Sequence, residues 1–131
     1  MSLLKNIFKS TSEEKNEVVS NVHWIPLKSL DQLEEINTIS KSETVLIFKH
    51  STRCGISRMV IKLFEKKFDE TMTDLKVYYL DLLNYRDLSS EVGYKYQILH
   101  QSPQLLVIKN GMALEHASHY DISNIDLKQY V

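Results

Sequence analysis

The sequence predicts an α/β fold of three layers, an α/β/α sandwich in which helices cover both faces of a central mixed sheet. Strand-like and helix-like segments alternate along most of the chain, an order typical of parallel βαβ units. Residues 44–48, TVLIF, form an uninterrupted apolar run, which is typical of a strand buried on both faces of a sheet. Asn110-Gly111 is a strong hairpin signal between two further strand-like segments. The hairpin adds a terminal antiparallel pair to the sheet.

The first strand and the first helix have recognisable boundaries. A short strand is predicted over residues 22–27, and Pro26 places it at an edge because proline cannot donate a ladder hydrogen bond. Ser29 and Gln32 have the spacing of a capping box. An apolar stripe at helical spacing follows, so the helix is expected to run to about Ser40.

The remaining elements continue the alternation after the central strand. The predicted ranges are 55–71 for a helix, 76–82 for a strand, 86–96 for a helix, 104–108 for a strand and 112–119 for its hairpin partner. Ser123 and Asp126 have the spacing of a helix cap, which predicts a last helix that runs to the C-terminus.

Composition places the chain among ordinary globular proteins, with 131 residues of which 43% are hydrophobic and 25% charged. The net charge of −1 gives no reason to expect nucleic acid or an anionic membrane as a partner. One cysteine cannot form an internal disulfide, which fits a reducing compartment. No run approaches the roughly 20 apolar residues of a membrane helix. We therefore expect a cytoplasmic protein.

The chain is expected to divide into a leader and one domain. Residues 10–20 are rich in Ser, Thr, Glu, Lys and Asn, a composition typical of mobile segments. The apolar stretch before them is too short for a signal peptide. We predict a flexible leader over residues 1–21 and a single folded domain over residues 22–131.

Cys54 is the residue that the sequence singles out for chemistry, because it lies between the predicted central strand and the next helix. A helix N-terminus carries about half a positive charge and unpaired N–H groups, and both favour a thiolate. Cysteines so placed can have pKa values of roughly 3.5–7.5, against about 8.5 for a free cysteine. Lys49, His50, Arg53 and Arg58 would favour the thiolate further if they face the sulfur. The alternative is a buried structural thiol, since free cysteine is among the most buried residue types.

Gly55 and Ser57 complete the local motif. Gly55 permits close approach of a partner backbone. Ser57 stands three residues after Cys54, where a second cysteine would complete the CxxC pair of a dithiol oxidoreductase. Serine cannot attack a mixed disulfide, but its hydroxyl can hydrogen-bond the sulfur anion across one helical turn. The alternative for Ser57 is an ordinary polar residue in the first turn of a helix.

Three segments carry a resemblance to a known family: residues 47–57 (IFKHSTRCGIS), 102–111 (SPQLLVIKNG) and 116–123 (HASHYDIS). The first lies where thioredoxins and glutaredoxins carry CxxC, and the second is similar to the thioredoxin segment that begins at the cis-proline. Together they resemble the YtxJ-type monothiol bacilliredoxins, which are bacillithiol-system redox proteins of the thioredoxin superfamily. The resemblance spans Trp24 to the C-terminus. Gly55 departs from the family's pattern, which commonly has proline after the cysteine.

This resemblance implies a thioredoxin-like domain and a monothiol oxidoreductase that reduces protein–bacillithiol mixed disulfides. Cys54 would attack the bacillithiol sulfur and free the client thiol, with Ser57 in place of a resolving cysteine. A cis Ser102–Pro103 bond is implied, although most X-Pro bonds are trans. The residues implied at the substrate are Thr52, Arg53, Gly55, Ser102 and Pro103. Lys49 and His50 are expected to support the thiolate because they lie close to Cys54 in the sequence.

The implied partners follow from the same reaction. They are S-thiolated client proteins, a recycling reductase, and bacillithiol or another low-molecular-weight thiol as co-substrate. No tightly bound cofactor is expected. The histidines have no short ligand-spacing motif, so we expect no metal site.

Two other functions stay open at this point. Cys54-Gly55-Ile56-Ser57 differs by one residue from the CGFS motif of glutaredoxins that carry an iron–sulfur cluster, although their glycine-rich glutathione-binding segment is missing. The other is a non-catalytic thioredoxin-like adaptor in which Cys54 is inert.

Overall fold

The structure, a computed structural model, describes residues 20–131. Its strands are β1 (Trp24–Pro26), β2 (Val45–His50), β3 (Lys76–Asp81), β4 (Gln104–Lys109) and β5 (Met112–Ser118). Its α-helices are α1 (Leu30–Ile39), α2 (Gly55–Lys67) and α3 (Arg86–Tyr96). Short 3-10 helices cover Glu70–Met72, His119–Asn124 and Leu127–Tyr130.

The strands form one mixed sheet in the order β1-β3-β2-β4-β5. β3 pairs in parallel with both β1 and β2, whereas β4 pairs antiparallel with β2 and β5. All residues of β2 are buried, as expected for a central strand between two helical layers. The predicted three-layer fold with its edge strand and terminal hairpin is confirmed.

Alternation along β2 divides the core into two clusters. Leu46 and Phe48 pack on the side of α2, where Phe48 lies edge-on to Phe64 with ring centroids 5.2 Å apart. Val45 and Ile47 pack on the opposite side, with apolar residues of α1 and α3. The two faces of β2 therefore meet different helices, and this decides where the polar residues at the end of the strand point.

Two local predictions are confirmed at atomic detail. Ser29 and Gln32 form a capping box at the start of α1, in which the Gln32 N–H donates to Ser29 Oγ over 3.4 Å. The turn between β4 and β5 has positive φ at both Asn110 (54°) and Gly111 (72°). Positive φ at both central residues is the reason for the Asn-Gly preference of such hairpins.

The predicted end of the helix that follows Cys54 is wrong. α2 ends at Lys67 rather than at residue 71, because Phe68 has extended backbone angles. The side chain of Asp69 then accepts the Thr71 N–H over 2.9 Å and starts a 3-10 helix. An aspartate that bonds the backbone two residues on competes with the continuing helix.

The predicted last helix is also wrong, because residues 119–124 and 127–130 form short 3-10 helices. The Ser123 hydroxyl donates to the Tyr120 carbonyl instead of capping a helix. Burial of Ile122, Ile125 and Leu127 in one cluster explains the broken geometry, because their spacing does not match one face of an α-helix. β5 ends one residue early, since His119 has a φ of 57°.

The predicted leader, residues 1–21, lies outside the described residues except for its last two. Asn21 is already attached to the domain, since its Nδ2 donates to the Phe68 carbonyl over 3.2 Å. Among residues 20–131, none of the helices has the length and apolar character needed to cross a membrane.

Candidate active site

Cys54 occupies the N-cap position of α2, at the junction that the sequence predicts. Its backbone is extended (φ −100°, ψ 121°), and its Sγ accepts the N–H of Ser57 over 3.4 Å. The side chain is partly exposed, and it is not in a disulfide. The sulfur therefore combines solvent access with a backbone donor at the N-terminus of a helix.

The Ser57 hydroxyl does not play the part predicted from its spacing. The contact to sulfur is made by the backbone N–H of Ser57, while the fully buried hydroxyl bonds elsewhere. Its Oγ accepts the Ser51 N–H over 3.0 Å and lies 2.9 Å from His50 Nδ1. Ser57 thus ties the first turn of α2 to the end of β2 and so fixes the N–H that faces Cys54.

His50 is the partner that makes this arrangement rigid. Its side chain is almost fully buried, and burial lowers its pKa, with Asp81 opposing and Arg58 reinforcing the shift. A neutral imidazole can accept at Nδ1, and the Ser57 hydroxyl has its proton free to donate there because it accepts from Ser51. His50 therefore supports the site through Ser57.

Lys49 does not face the sulfur, contrary to its predicted supporting role. Adjacent residues of a strand point to opposite faces, so Lys49 projects away from the face that carries His50 and α2. Its buried Nζ lies 3.3 Å from the Ser89 carbonyl and 3.2 Å from His100 Nδ1, on the side of α3. Burial lowers its pKa to about 8.

The Ser102–Pro103 bond is cis, as the resemblance implies. β4 begins directly after Pro103, and Gln104 pairs with Lys49 in the antiparallel register. That register places Pro103 beside the end of β2, where the active-site loop begins. Ser102 Oγ is buried and has no hydrogen-bond partner among the described residues.

The other predicted substrate residues lie on the surface next to Cys54. Thr52, Arg53 and Gly55 are all exposed. The backbone of this loop is held by Arg58, whose Nη1 donates to the Thr52 carbonyl over 3.1 Å. A Cβ at residue 55 would meet no atom within 4 Å, so no steric requirement explains the glycine at this position.

Two residues that the sequence analysis did not single out also reach this end of the sheet. Asn84 and Arg86 follow β3, and together with Thr52, Arg53 and Leu83 they line an open cleft of about 340 Å³. The signal for them is topological, because carboxyl ends of neighbouring parallel strands meet at one edge. The sequence around the cysteine does not reveal this proximity, because Asn84 and Arg86 lie about 30 residues further along the chain.

The histidines do not converge on the site. Among residues 20–131, no group of three or more His, Cys, Asp or Glu side chains is arranged to hold a metal ion. His116 lies within β5, and His119 lies beyond its end.

A family model and solved structures are similar to this chain. The model described as monothiol bacilliredoxin BrxC matches residues 25–127. A solved structure described as a candidate oxidoreductase with a thioredoxin fold is 34% identical, has a TM-score of 0.68, and is matched over 82% of this chain and 92% of that one.

Thioredoxins from two organisms show the same fold at lower identity. The thioredoxin of Malassezia sympodialis is 22% identical with a TM-score of 0.65, over 80% of this chain and 88% of that one. The reduced Schistosoma mansoni thioredoxin pre-protein is 24% identical with a TM-score of 0.62, over 82% of this chain and 98% of that one.

Proposed function

Because the chain belongs to the monothiol bacilliredoxin family, we propose that this thiol-disulfide oxidoreductase uses Cys54 to remove bacillithiol from mixed disulfides on client proteins. The observation that supports it most is the placement of a partly exposed sulfur at the N-terminus of α2, 3.4 Å from the Ser57 N–H. Exchange needs a thiolate, a good leaving group and access to the sulfur.

The proposed reaction has two exchange steps. The Cys54 thiolate attacks the bacillithiol sulfur of the client's mixed disulfide, the client sulfur leaves as a thiolate, and a Cys54–bacillithiol disulfide forms. A second bacillithiol thiolate then attacks the bacillithiol sulfur held on Cys54. Cys54 leaves as a thiolate, and bacillithiol disulfide is released. A recycling reductase supplies the two electrons that convert this disulfide back to two thiols.

The N-terminus of α2 serves both steps in the same way. It stabilises negative charge on Cys54 Sγ when the sulfur attacks and again when it leaves. Ser57 cannot release the bound thiol by forming an internal disulfide, so the second step needs an external thiol. His50 and Ser51 act as positioning residues, because they hold the Ser57 hydroxyl and thereby the first turn of α2.

The client chain is proposed to lie along the exposed loop and the cis-proline. Thr52, Arg53 and Gly55 flank the sulfur on one side. The cis Ser102–Pro103 segment lies beside the end of β2, where this loop begins. These residues would contact the substrate, while Cys54 alone reacts.

A multiple-turnover assay tests the function. A bacillithiolated client, free bacillithiol and a bacillithiol disulfide reductase are mixed with catalytic amounts of the protein, and the client's mass is followed. We expect recovery of the reduced client with the wild type and none above background with Cys54→Ser. A glutathionylated client with free glutathione serves as the comparison and should recover more slowly.

Three other results would count against the proposal. Equal recovery from both thiols would contradict the preference for bacillithiol. An inactive protein that is brown and absorbs near 420 nm as purified would favour a cluster carrier instead. An inactive protein whose Cys54 also resists alkylation at neutral pH would favour a non-catalytic adaptor.

A further inference from the structure

We propose that the cleft lined by Thr52, Arg53, Leu83, Asn84 and Arg86 is a subsite for carboxylate groups on the small thiol that exchanges with Cys54. The inference deepens the proposed function and rests on it, because it concerns the part of the thiol remote from the reacting sulfur. We call this cleft the arginine cleft.

The arginine cleft lies between two loops at one edge of the sheet. Thr52 and Arg53 belong to the loop after β2, and Leu83 and Asn84 belong to the loop after β3. The last residues of the two strands, His50 and Asp81, are partners in the parallel register, so both loops leave the sheet side by side. Arg53 directly precedes Cys54, so one residue of the cleft lining is the immediate sequence neighbour of the nucleophile.

The charge of the arginine cleft favours an anion. The chain's three arginines are Arg53, Arg58 and Arg86, and two of them line this one cleft. No carboxylate lines it. Among residues 20–131 the ion pairs within 4.0 Å are Lys76–Glu43 and Lys95–Glu34, so neither cleft arginine is paired there. A guanidinium group binds a carboxylate through two parallel hydrogen bonds, which makes arginine selective for such groups.

Arg86 stands at a position that helix stability alone disfavours. It is the first residue of α3, where the positive end of the helix repels a cation. A residue that breaks a local rule without a compensating contact points to a functional role. A bound carboxylate would supply the missing compensation.

Asn84 contributes a held amide to the lining of the cleft. Its Nδ2 donates one hydrogen to Asp81 Oδ2 over 2.7 Å, which leaves its second amide hydrogen for a ligand. The larger cavity next to it, about 540 Å³, shares Leu83, Asn84 and Arg86 with the cleft, but there Asp87 and Glu91 balance the charges of Arg86 and Lys28. An anion is therefore expected in the arginine cleft and not in that cavity.

The size of the arginine cleft favours a small thiol over a client segment. About 340 Å³ accommodates a short chain with one or two carboxylates. An acidic side chain of a client is the competing occupant, and it predicts no selectivity among small thiols.

Discharge of a neutral adduct by simple thiols tests the subsite. Cys54 is first converted to a mixed disulfide with uncharged 4-thiopyridine. A thiolate then attacks Cys54 Sγ, a new disulfide to Cys54 forms, the old one breaks, and 4-thiopyridone is released and measured. The thiols compared are mercaptosuccinate, which carries two carboxylates, and 1-thioglycerol, which is uncharged.

The variants are Arg53→Gln, Arg86→Gln and Arg58→Gln. We expect each of the two cleft variants to slow discharge by mercaptosuccinate at least about threefold. This is the rate change that corresponds to the loss of a partly exposed ion pair. Discharge by 1-thioglycerol should change by less than about half of that. Arg58→Gln removes the same charge outside the cleft lining. Because Arg58 also holds the Thr52 carbonyl, this variant should slow both thiols and produce the smaller selective loss.

Two outcomes overturn the subsite while leaving the proposed function intact. One is an equal change for both thiols in the cleft variants. The other is an equally selective loss in Arg58→Gln, which would assign the effect to the general field of the arginines. Failure of every thiol to discharge the wild-type adduct would overturn the subsite and the proposed function together.

Discussion

Ser57 shows at the scale of one residue how a serine occupies the second position of the motif. Its side chain is fully buried, and both hydrogen-bonding directions of its hydroxyl are used, by the Ser51 N–H and by His50 Nδ1. The group that reaches Cys54 is the backbone N–H. The side chain and the amide of one residue therefore have separable roles.

A pair of substitutions at residue 57 tests this separation. Ser57→Ala keeps the N–H, so the rate of Cys54 alkylation by iodoacetamide at pH 7 should stay within about threefold of the wild type. It leaves buried groups of His50 and Ser51 without a partner, so the free energy of unfolding should fall by about 1–3 kcal/mol. Ser57→Pro removes the N–H as well, at an early helix position that tolerates proline.

Alkylation of Ser57→Pro should be clearly slower than that of Ser57→Ala. Circular dichroism and urea unfolding serve as controls that both variants are folded. Equal alkylation rates in the two folded variants would mean that the amide does not stabilise the thiolate.

Ser57→Cys tests whether release of a thiol from Cys54 needs an external thiol because residue 57 is not a cysteine. A cysteine there lies one turn from Cys54 at CxxC spacing, so an internal disulfide can displace a thiol bound to Cys54. We expect an adduct on wild-type Cys54 to persist without free thiol, and the adduct of Ser57→Cys to vanish as a disulfide forms. Intact mass spectrometry distinguishes the two, and a persistent adduct on Ser57→Cys would contradict the geometry.

The end of strand β2 shows at the scale of one element what the sequence could and could not predict. Its burial on both faces follows from the apolar run, and the strand–helix junction at Cys54 follows from the two periodicities. The separation of Lys49 from His50 also follows from strand alternation, yet proximity in sequence suggested that both face the sulfur. Residue spacing predicted the capping of α1, whereas Asp69 ended α2 through a local bond that periodicity does not reveal.

Lys49 gives the fold a measurable pH dependence. Its folded pKa of about 8 lies below the usual 10.5, so between these values the unfolded chain binds a proton that the folded chain does not. Stability therefore rises with pH in that window and is lowest below it. The pKa values of Tyr96 and Tyr130 are raised to about 12. These two residues therefore affect stability only above about pH 10, where stability falls as the pH rises.

Urea unfolding of Cys54→Ser protein at pH 7 and pH 9 checks this effect without interference from the thiol. We expect the free energy of unfolding to be about 1 kcal/mol higher at pH 9 than at pH 7. The additional change Lys49→Met should abolish this difference. Lys49→Met should also be the more stable protein at pH 7. The same pH dependence in both proteins would show that Lys49 is not the responsible group.

The site is assembled at the scale of the whole molecule from segments far apart in the sequence. The loop after β2 supplies Cys54, the start of β4 supplies Pro103, and the loop after β3 supplies Asn84 and Arg86. The first two were predictable because they carry motifs. The third was not predictable, since only the parallel pairing of β2 with β3 brings Asn84 and Arg86 beside the loop that follows β2. The last turns of the chain escaped prediction because tertiary burial decided their geometry.

A single-turnover transfer tests most directly whether Cys54 itself accepts bacillithiol from a client. Reduced protein is mixed with an equal amount of a bacillithiolated client in the absence of free thiol, and both intact masses are followed over minutes. We expect the client to lose one bacillithiol mass at the same rate as the protein gains it. The added mass should lie on the peptide that contains Cys54, and Cys54→Ser should not acquire it. Reduction of the client without an adduct on Cys54, or no transfer to a Cys54 that still alkylates rapidly, would contradict it.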